Sequence, residues 1–148
     1  MTILAEVGEV VSMGAGPLGE RRQVAITGGR FEGEAPDGRR LAGSVLPGGC
    51  DWQIVRADGV IDLDARYALR EETGAAIRVV SRGYRHGPPE VLARLARGED
   101  VDPAEYFFRS SLRFETGDAR LGWLNRTMGL ATAVRRARQV ELTVFRVL

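Results

Sequence analysis

The most informative absence in this chain of 148 residues is lysine, since all 21 basic residues are arginine. Without a lysine amine, Schiff-base catalysis is excluded, and so is the lysine of a nucleotide-binding phosphate loop. Cys50 and His86 are the only residues of their types. One thiol cannot form an internal disulfide, and one thiol with one imidazole is too little for a zinc site. We therefore expect no metal and no cofactor.

Long apolar runs and a charge excess are also missing. No uninterrupted apolar stretch approaches the roughly 20 residues of a membrane-spanning helix, and the first residues lack the pattern of a secretory signal. The net charge of +1 leaves no strong positive field for a nucleic acid. We interpret the local run Arg135, Arg136 and Arg138 as a solvated turn between strands. We expect a cytoplasmic protein that binds neither nucleic acid nor membrane.

What the chain does contain is a succession of β-strand patterns separated by glycine-bearing turns such as Asp58-Gly59. Its length fits one domain over residues 1–148. The patterns predict eight strands, near residues 2–13, 20–34, 50–56, 60–71, 75–85, 105–116, 124–134 and 138–148. Between the fifth and sixth of these, Val91, Leu92, Leu95 and Ala96 have helical spacing, after Pro88-Pro89 and before Gly98. This predicts one short helix, placed to lie across the mouth of a barrel.

Eight sequential antiparallel strands have two outer edges, and closing the sheet on itself removes both. The sequence therefore predicts an all-β fold, an eight-stranded antiparallel up-and-down β-barrel. A sandwich of two sheets is the alternative. A barrel of this size holds either packed side chains or one small ligand, so a small molecule is the expected partner.

The predicted strand Ile61–Arg70 alternates between an apolar face and a face that carries Asp62, Asp64, Arg66 and Arg70. One interpretation is that the charged face is solvated and held by weak cross-strand ion pairs. The other places it inside a polar lumen. The sequence leaves both open, because the register of a strand cannot be read from one chain.

The segment Gly48-Gly49-Cys50-Asp51-Trp52 turns sharply into a strand. Asp51 beside a large aromatic is placed to have its pKa raised by desolvation, which suits a general acid or base. The alternative is an aspartate that caps its own turn, with a core tryptophan behind it. Trp123 and Asn125 form a second candidate, because an indole plane and an amide can bind a planar polar ligand.

Several ordered motifs resemble domain-of-unknown-function family 3237, the UPF0311-like proteins. They are Ile26-Thr27-Gly28-Gly29-Arg30-Phe31-Glu32-Gly33, Val45-Leu46-Pro47-Gly48-Gly49-Cys50-Asp51-Trp52, Asp58-Gly59, Leu63-Asp64-Ala65-Arg66-Tyr67, Tyr106-Phe107-Phe108-Arg109 and Trp123-Leu124-Asn125. The resemblance covers nearly the whole chain. It implies small cytoplasmic eight-stranded barrels, mostly without an assigned reaction. Cys50 departs from the alanine that is usual before the aspartate, and Glu72-Thr73-Gly74 replaces an aspartate pair before a glycine.

The resemblance also implies that these motifs form one shared feature of the fold. Carried onto this chain, the candidates for catalysis are Asp51, Asp64, Arg66 and Arg109, and those for substrate binding are Trp52, Tyr67, Trp123 and Asn125. In this hypothesis an aspartate exchanges a proton and an arginine stabilises an oxyanion. The tyrosine and the amide orient the substrate, and a tryptophan covers an apolar ring.

These residue types favour a cofactor-independent enzyme, an isomerase, a cyclase or a lyase such as a dehydratase, acting on an enolisable carbonyl or an aromatic, polyketide-like compound. A binding barrel without chemistry is the second hypothesis. In a third, the lumen is a packed core and an apolar outer face forms a homodimer or another homo-oligomer. The second and third differ in whether a cavity opens inside the barrel.

Overall fold

The computed structural model describes residues 1–148 and consists of one antiparallel sheet closed into a ring. Its nine strands are β1 (Thr2–Gly16), β2 (Gly19–Glu34), β3 (Arg40–Val45), β4 (Gly49–Val55), β5 (Ile61–Glu71), β6 (Ala76–His86), β7 (Phe107–Glu115), β8 (Met128–Arg135) and β9 (Gln139–Arg146). Apart from β3 and β4, successive strands pair along the chain, and β9 returns to pair with β1. The predicted antiparallel up-and-down barrel is confirmed.

The ring has eight positions although it has nine strands, because β3 and β4 together fill one of them. Both pair with β2 on one side and with β5 on the other. β3 lies along the C-terminal half of β2 and β4 along its N-terminal half. The prediction missed β3, and the chain breaks at Leu46–Gly48 between the two strands.

The barrel interior carries the core. Alternate residues of each strand point inward, and 27 buried apolar residues form one cluster, with Ile3, Val79 and Leu112 fully shielded. The charged face of β5 lies outside, since Ile61, Leu63 and the other odd-numbered residues face the core. The solvated interpretation of that face is the correct one.

Helical segments cover the two ends of the barrel. The predicted helix is present as α1 (Pro89–Ala96), which buries Val91 and Leu95. A 3₁₀ turn (Pro103–Glu105) precedes β7, and a 3₁₀ helix (Ala119–Arg126) precedes β8. Trp123 and Asn125 thus lie on this 3₁₀ helix, whereas the sequence pattern predicted a strand from residue 124. No helix in the structure has the length and apolar character needed to cross a membrane.

Candidate functional site

The candidate site lies inside the barrel, beneath α1. The inward-facing residues of β4, β5, β6 and β8 bring polar side chains into the lumen, among them Asp51, Gln53, Tyr67, Arg85 and Arg135. Asp51 is opposite Val24 on β2 and Ala65 on β5, so its side chain shares their inward direction. The rest of the wall is largely apolar, which gives these polar groups a poorly solvated environment.

Asp51 is held by its strand neighbour Gln53. The Gln53 Nε2 donates a hydrogen bond of 2.7 Å to the Asp51 Oδ2, while the Asp51 Oδ1 is shielded from solvent and has no partner. Burial raises the pKa of the Asp51 carboxyl above its ordinary value, against the opposing effects of the Gln53 hydrogen bond and the Arg85 charge. A raised pKa makes this carboxyl better suited to general acid–base catalysis than an ordinary surface carboxyl.

Arg85 and Arg135 supply positive charge to the same space. The Arg85 guanidinium lies over the Phe108 ring, 5.5 Å from its centroid. Burial, and then the neighbouring Arg135, lowers the pKa of Arg85 to about 10, and burial likewise lowers the pKa of Arg135. The Arg85 Nε and the Arg135 Nη1 are shielded and have no hydrogen-bond partner. Neither guanidinium takes part in a salt bridge, unlike Arg22 nearby, which pairs with Glu20 at 2.8 Å.

Tyr67 completes the group from β5. Its hydroxyl is buried without a partner, and burial, followed by the Asp51 charge, raises the pKa of this phenol. The Cα and Cβ of Tyr67 lie close to Gly49, where an added Cβ would come within 2.5 Å of the Tyr67 Cβ. A glycine at this position lets β4 approach the tyrosine, which explains one glycine of the sequence motif.

Two neighbouring cavities are lined by these side chains. The deep cavity, about 50 Å³, is lined by Asp51, Tyr67 and the two guanidiniums. The outer cavity, about 520 Å³, opens under α1 and is lined by Val55, Ile61, Leu92 and Leu95 among others. Both are bordered by Val24, Gln53, Arg85 and Arg135, so the two cavities are neighbours.

The structure does not bring the predicted catalytic set into one cavity. Asp51 faces the lumen, but Asp64, Arg66 and Arg109 lie on the outer face. Asp64 pairs with Arg66 and with Arg82, each at 3.3 Å. Although burial opposes ionisation, these two partners hold the pKa of Asp64 below its ordinary value. Arg109 lies over the Phe107 ring on the outside, and its Nη1 donates to the Phe108 carbonyl.

The predicted substrate-binding residues are also divided between locations. Tyr67 lies in the lumen, whereas Trp52 is on the outer face and 38% exposed. Trp123 lines a separate cavity of about 280 Å³ near Met1 and Phe114. The Asn125 side chain accepts from the Thr116 N–H at 2.8 Å and donates to the Thr116 carbonyl at 2.9 Å. Asn125 therefore holds the end of β7.

Sequence reasoning missed three lumen residues: Gln53, Arg85 and Arg135. The alternation of inward- and outward-facing residues could have found the arginines. Each arginine falls on the inward-facing positions of its strand, which are otherwise uncharged. Arg85 follows Ile77, Val79, Ser81 and Gly83, and Arg135 follows Ala131 and Ala133. The interpretation of the run at 135–138 as a solvated turn is wrong for Arg135, which is the last residue of β8 and points inward.

The fold and the lumen together define a small closed β-barrel with a polar site inside an apolar wall. A family model described as "Protein of unknown function (DUF3237)" matches residues 1–147. The chain belongs to this family, as its motifs predicted.

Similar proteins agree over nearly their full length. The UPF0311 protein RPA1785 of Rhodopseudomonas palustris is 42% identical over 147 residues, which cover 99% of this chain and 93% of that protein. Its crystal structure superposes with a TM-score of 0.93 at 41% identity, over the same shares of the two chains. A crystal structure described as a β-barrel-like protein from Acinetobacter baumannii has a TM-score of 0.82 at 37% identity, covering 98% of this chain and 90% of that one.

A more distant structure has the same fold. It is described as an enzyme from Penicillium herquei, and it superposes with a TM-score of 0.68 at 18% identity, covering 98% of this chain and 91% of that one. At this identity the likeness concerns the fold alone.

Proposed function

We propose that this protein is a cofactor-independent enzyme that moves a proton on an enolisable small molecule bound in the barrel lumen. The observation that carries the proposal is the Asp51 carboxyl, shielded and with one oxygen unpaired, in a cavity lined by the hydroxyl of Tyr67 and two unpaired guanidiniums. Groups left without partners in an accessible cavity are available to a ligand. That a distant relative in fold is described as an enzyme is compatible with this proposal.

The reaction would begin with proton abstraction. The Asp51 carboxylate takes a proton from the carbon next to the carbonyl, and the electron pair of the broken C–H bond moves onto the carbonyl oxygen to form an enolate. Arg85 and Arg135 stabilise that oxyanion, in place of the outer-face arginines that the sequence suggested. In a substrate with a C=C bond between the β and γ carbons, the enolate is a conjugated dienolate. The Asp51 carboxylic acid then returns the proton to the γ carbon and the double bond moves to the α,β position, which completes an isomerisation with no net change in atoms. Tyr67 donates a hydrogen bond that orients the substrate.

Deuterium exchange tests this chemistry whatever the final product is. A panel of cyclic ketones, β-keto compounds and phenolic polyketide-like compounds is incubated with the protein in D₂O, and incorporation at carbon is followed by NMR. We expect catalysed exchange for a subset of the panel. The Asp51→Asn variant should lose it by about 100-fold or more, the usual contribution of general acid–base catalysis.

The matched control is Asp64→Asn, which removes a carboxylate on the neighbouring strand that faces outward. It should exchange at the wild-type rate. Full exchange by Asp51→Asn would remove Asp51 from the mechanism. Saturable binding of panel compounds with no exchange by the wild type would favour the alternative, a binding barrel without catalysis.

A further inference from the structure

We propose that the lumen recognises an amphiphilic organic anion, with a planar oxyanion head between Arg85 and Arg135 and an apolar body under α1. The inference deepens the proposed function, and it depends on that function only for the location of the site. It narrows the substrate class from enolisable compounds in general to those that enter already ionised, such as carboxylates and acidic phenols or enols.

The charge of the lumen is the first argument. Three arginines, two carboxyls and two phenols surround the deep cavity and its rim: Arg22, Arg85, Arg135, Glu20, Asp51, Tyr67 and Tyr106. Glu20 pairs with Arg22, and the Tyr106 hydroxyl accepts from the Arg135 backbone N–H. This leaves two guanidiniums against the single carboxyl of Asp51. The interior is therefore positive, more so when Asp51 is protonated.

Burying a charge without a partner is costly, so this arrangement is unfavourable when the site is empty. An anionic ligand between the guanidiniums would offset that cost with charge-assisted hydrogen bonds to nitrogens that have no partner, among them the Arg85 Nε and the Arg135 Nη1. The planar guanidinium matches the geometry of a carboxylate or an enolate better than that of a spherical ion. Arg66 and Arg82 on the outer face offer no such site, because both are exposed and already paired with Asp64.

The shapes of the two cavities supply the second argument. The deep cavity of about 50 Å³ has room for a small polar head and little more. The outer cavity of about 520 Å³ has apolar walls from Val10, Val55, Ile61, Leu92 and Leu95, and Arg85 and Arg135 line both cavities. A ligand that fills both would place its apolar body against α1 and its anionic head at the arginines.

Proton uptake is a consequence of this placement. An anion in the deep cavity adds a second negative charge near Asp51, which disfavours the ionised carboxylate. Binding should therefore favour the protonated form of Asp51, which can donate a hydrogen bond to the anion. A substrate that enters as its enolate would then begin at the second step of the proposed reaction, delivery of a proton from the Asp51 carboxylic acid to carbon. Arg85 and Arg135 remain charged throughout the neutral range.

Calorimetry with 2-naphthoate tests the charge requirement. Its neutral isostere, 2-naphthalenemethanol, has the same ring system without the negative charge. We expect naphthoate to bind and the alcohol to bind at least about tenfold more weakly, a difference of about 1.4 kcal/mol. Arg85→Gln and Arg135→Gln should each weaken naphthoate binding by roughly ten- to a hundredfold, as expected for loss of a charged hydrogen-bond partner.

The matched controls are Arg82→Gln, on the outer face of β6, and Arg113→Gln, on the outer face of β7. Both should bind naphthoate as the wild type does, and circular dichroism checks that each variant is folded. Arg85→Lys keeps the charge and should restore part of the affinity. Equal affinity for naphthoate and the alcohol, no naphthoate binding up to roughly 10 mM, or unchanged binding by both lumen variants would overturn the inference.

Asp51→Asn separates this inference from the proposed function. The variant should still bind naphthoate but take up no proton, which titrations in buffers of different ionisation enthalpy measure. Arg-dependent naphthoate binding without deuterium exchange in any compound would leave the anion site standing and contradict the enzyme. Asp51-dependent exchange of neutral ketones by a protein that does not bind naphthoate would leave the enzyme standing and contradict the anion site.

Discussion

Two aspartates on neighbouring strands show that the direction of a side chain, into or out of the barrel, determines its environment and its pKa. Asp51 pairs across the ladder with Ala65, and Asp64 pairs with Trp52, so the two carboxyls lie one position apart on opposite faces of the sheet. Burial raises the pKa of the inward carboxyl, and two arginines lower the pKa of the outward one. The same side chain is thus a shielded carboxyl inside the barrel, where we propose that it transfers a proton, and an ion-pair partner outside it.

The stability of Asp51→Asn should depend on pH in a definite direction. A carboxyl whose pKa is raised on folding stabilises the fold in its protonated form, at low pH, and this contribution is lost as pH rises through the folded-state pKa. We expect Asp51→Asn to stabilise the protein at pH 7–8, on the order of 1 kcal/mol, and to lose that gain below pH 4. Urea unfolding across the pH range measures it.

Asp64→Asn should behave in the opposite way. Its folded-state pKa is lowered, so its contribution is present at neutral pH and disappears as pH falls. Because the pair is partly exposed, the expected loss at pH 7 is at most about 0.5 kcal/mol. A stabilising Asp64→Asn, or a destabilising Asp51→Asn at pH 8, would contradict the assigned environments.

Asn125 is expected to stabilise the fold and to leave ligand binding unaffected. Asn125→Ala removes both hydrogen bonds to the Thr116 backbone, which should cost about 1–2 kcal/mol in urea unfolding. Naphthoate affinity should stay at the wild-type value. An unchanged unfolding midpoint together with weakened binding would instead support the substrate-binding role that its motif suggested.

At the level of elements, the break between β3 and β4, which share one position of the ring, determines that Asp51 faces the lumen. The break at Leu46–Gly48 restarts the strand so that Gly49 lies against Tyr67 and Asp51 follows two residues later, on the inward face. Gly48 takes the left-handed conformation that the turn requires, with φ of 99°. The two glycines therefore have different functions.

Substitution of each glycine by alanine should separate these functions. Gly49→Ala would force Tyr67 away from β4, at a cost of about 1–3 kcal/mol, and should weaken naphthoate binding. Gly48→Ala meets nothing within 4 Å, so it should cost only the backbone strain, about 1 kcal/mol, with binding unchanged. Equal binding by the two variants would show that the Gly49 contact does not position Tyr67.

The sequence predicts those elements whose local pattern matches their final environment. The alternating pattern of β5, and the prolines before and glycine after α1, predicted the bounds of both elements to within about two residues. β3 was missed because it has only six residues and Gly43 interrupts its strand pattern. A glycine is needed there because a Cβ at position 43 would clash with the Arg70 carbonyl of β5. That contact is long-range, so no local pattern reports it.

The site was predictable only in part for the same reason. Asp51 and Tyr67 belong to motifs with unusual local composition, but Arg85 and Arg135 are ordinary arginines near strand ends. Their importance comes from the ring, which brings the ends of β6 and β8 to one mouth. The face of a strand that carries apolar residues at alternate positions points into the barrel. Applying this rule to every strand would have excluded Asp64 from the predicted site and included both arginines.

At the level of the molecule, closure of the ring joins the two ends of the chain. β1 and β9 are adjacent, and the Val144 N–H donates to the Met1 carbonyl. The last four residues extend past this contact by roughly 13 Å in extended form. A flexible linker of about six residues would span that distance.

A circular permutant should therefore keep the barrel. Joining the termini and opening the chain between Asp37 and Gly38, in the exposed β2–β3 turn, preserves every strand pair. We expect a cooperative urea transition and naphthoate affinity close to that of the parent. As a control, opening the chain between Leu63 and Asp64 interrupts β5 and should abolish cooperative unfolding. Equal behaviour of the two permutants would argue against the closed ring.

The joining of β1 and β9 also determines how the molecule responds to force. Their five residue pairs run from Thr2 with Thr143 to Glu6 with Gln139, so the N-terminal end of β1 and the C-terminal end of β9 lie at the same end of the barrel. Tension applied through the two termini acts perpendicular to the strands, so the hydrogen bonds of these residue pairs break one pair after another. Tension along the strands would load them all at once. Denaturant and heat are expected to unfold the barrel cooperatively. Tension on the termini should instead separate β1 from β9 first, starting from the two ends of the chain.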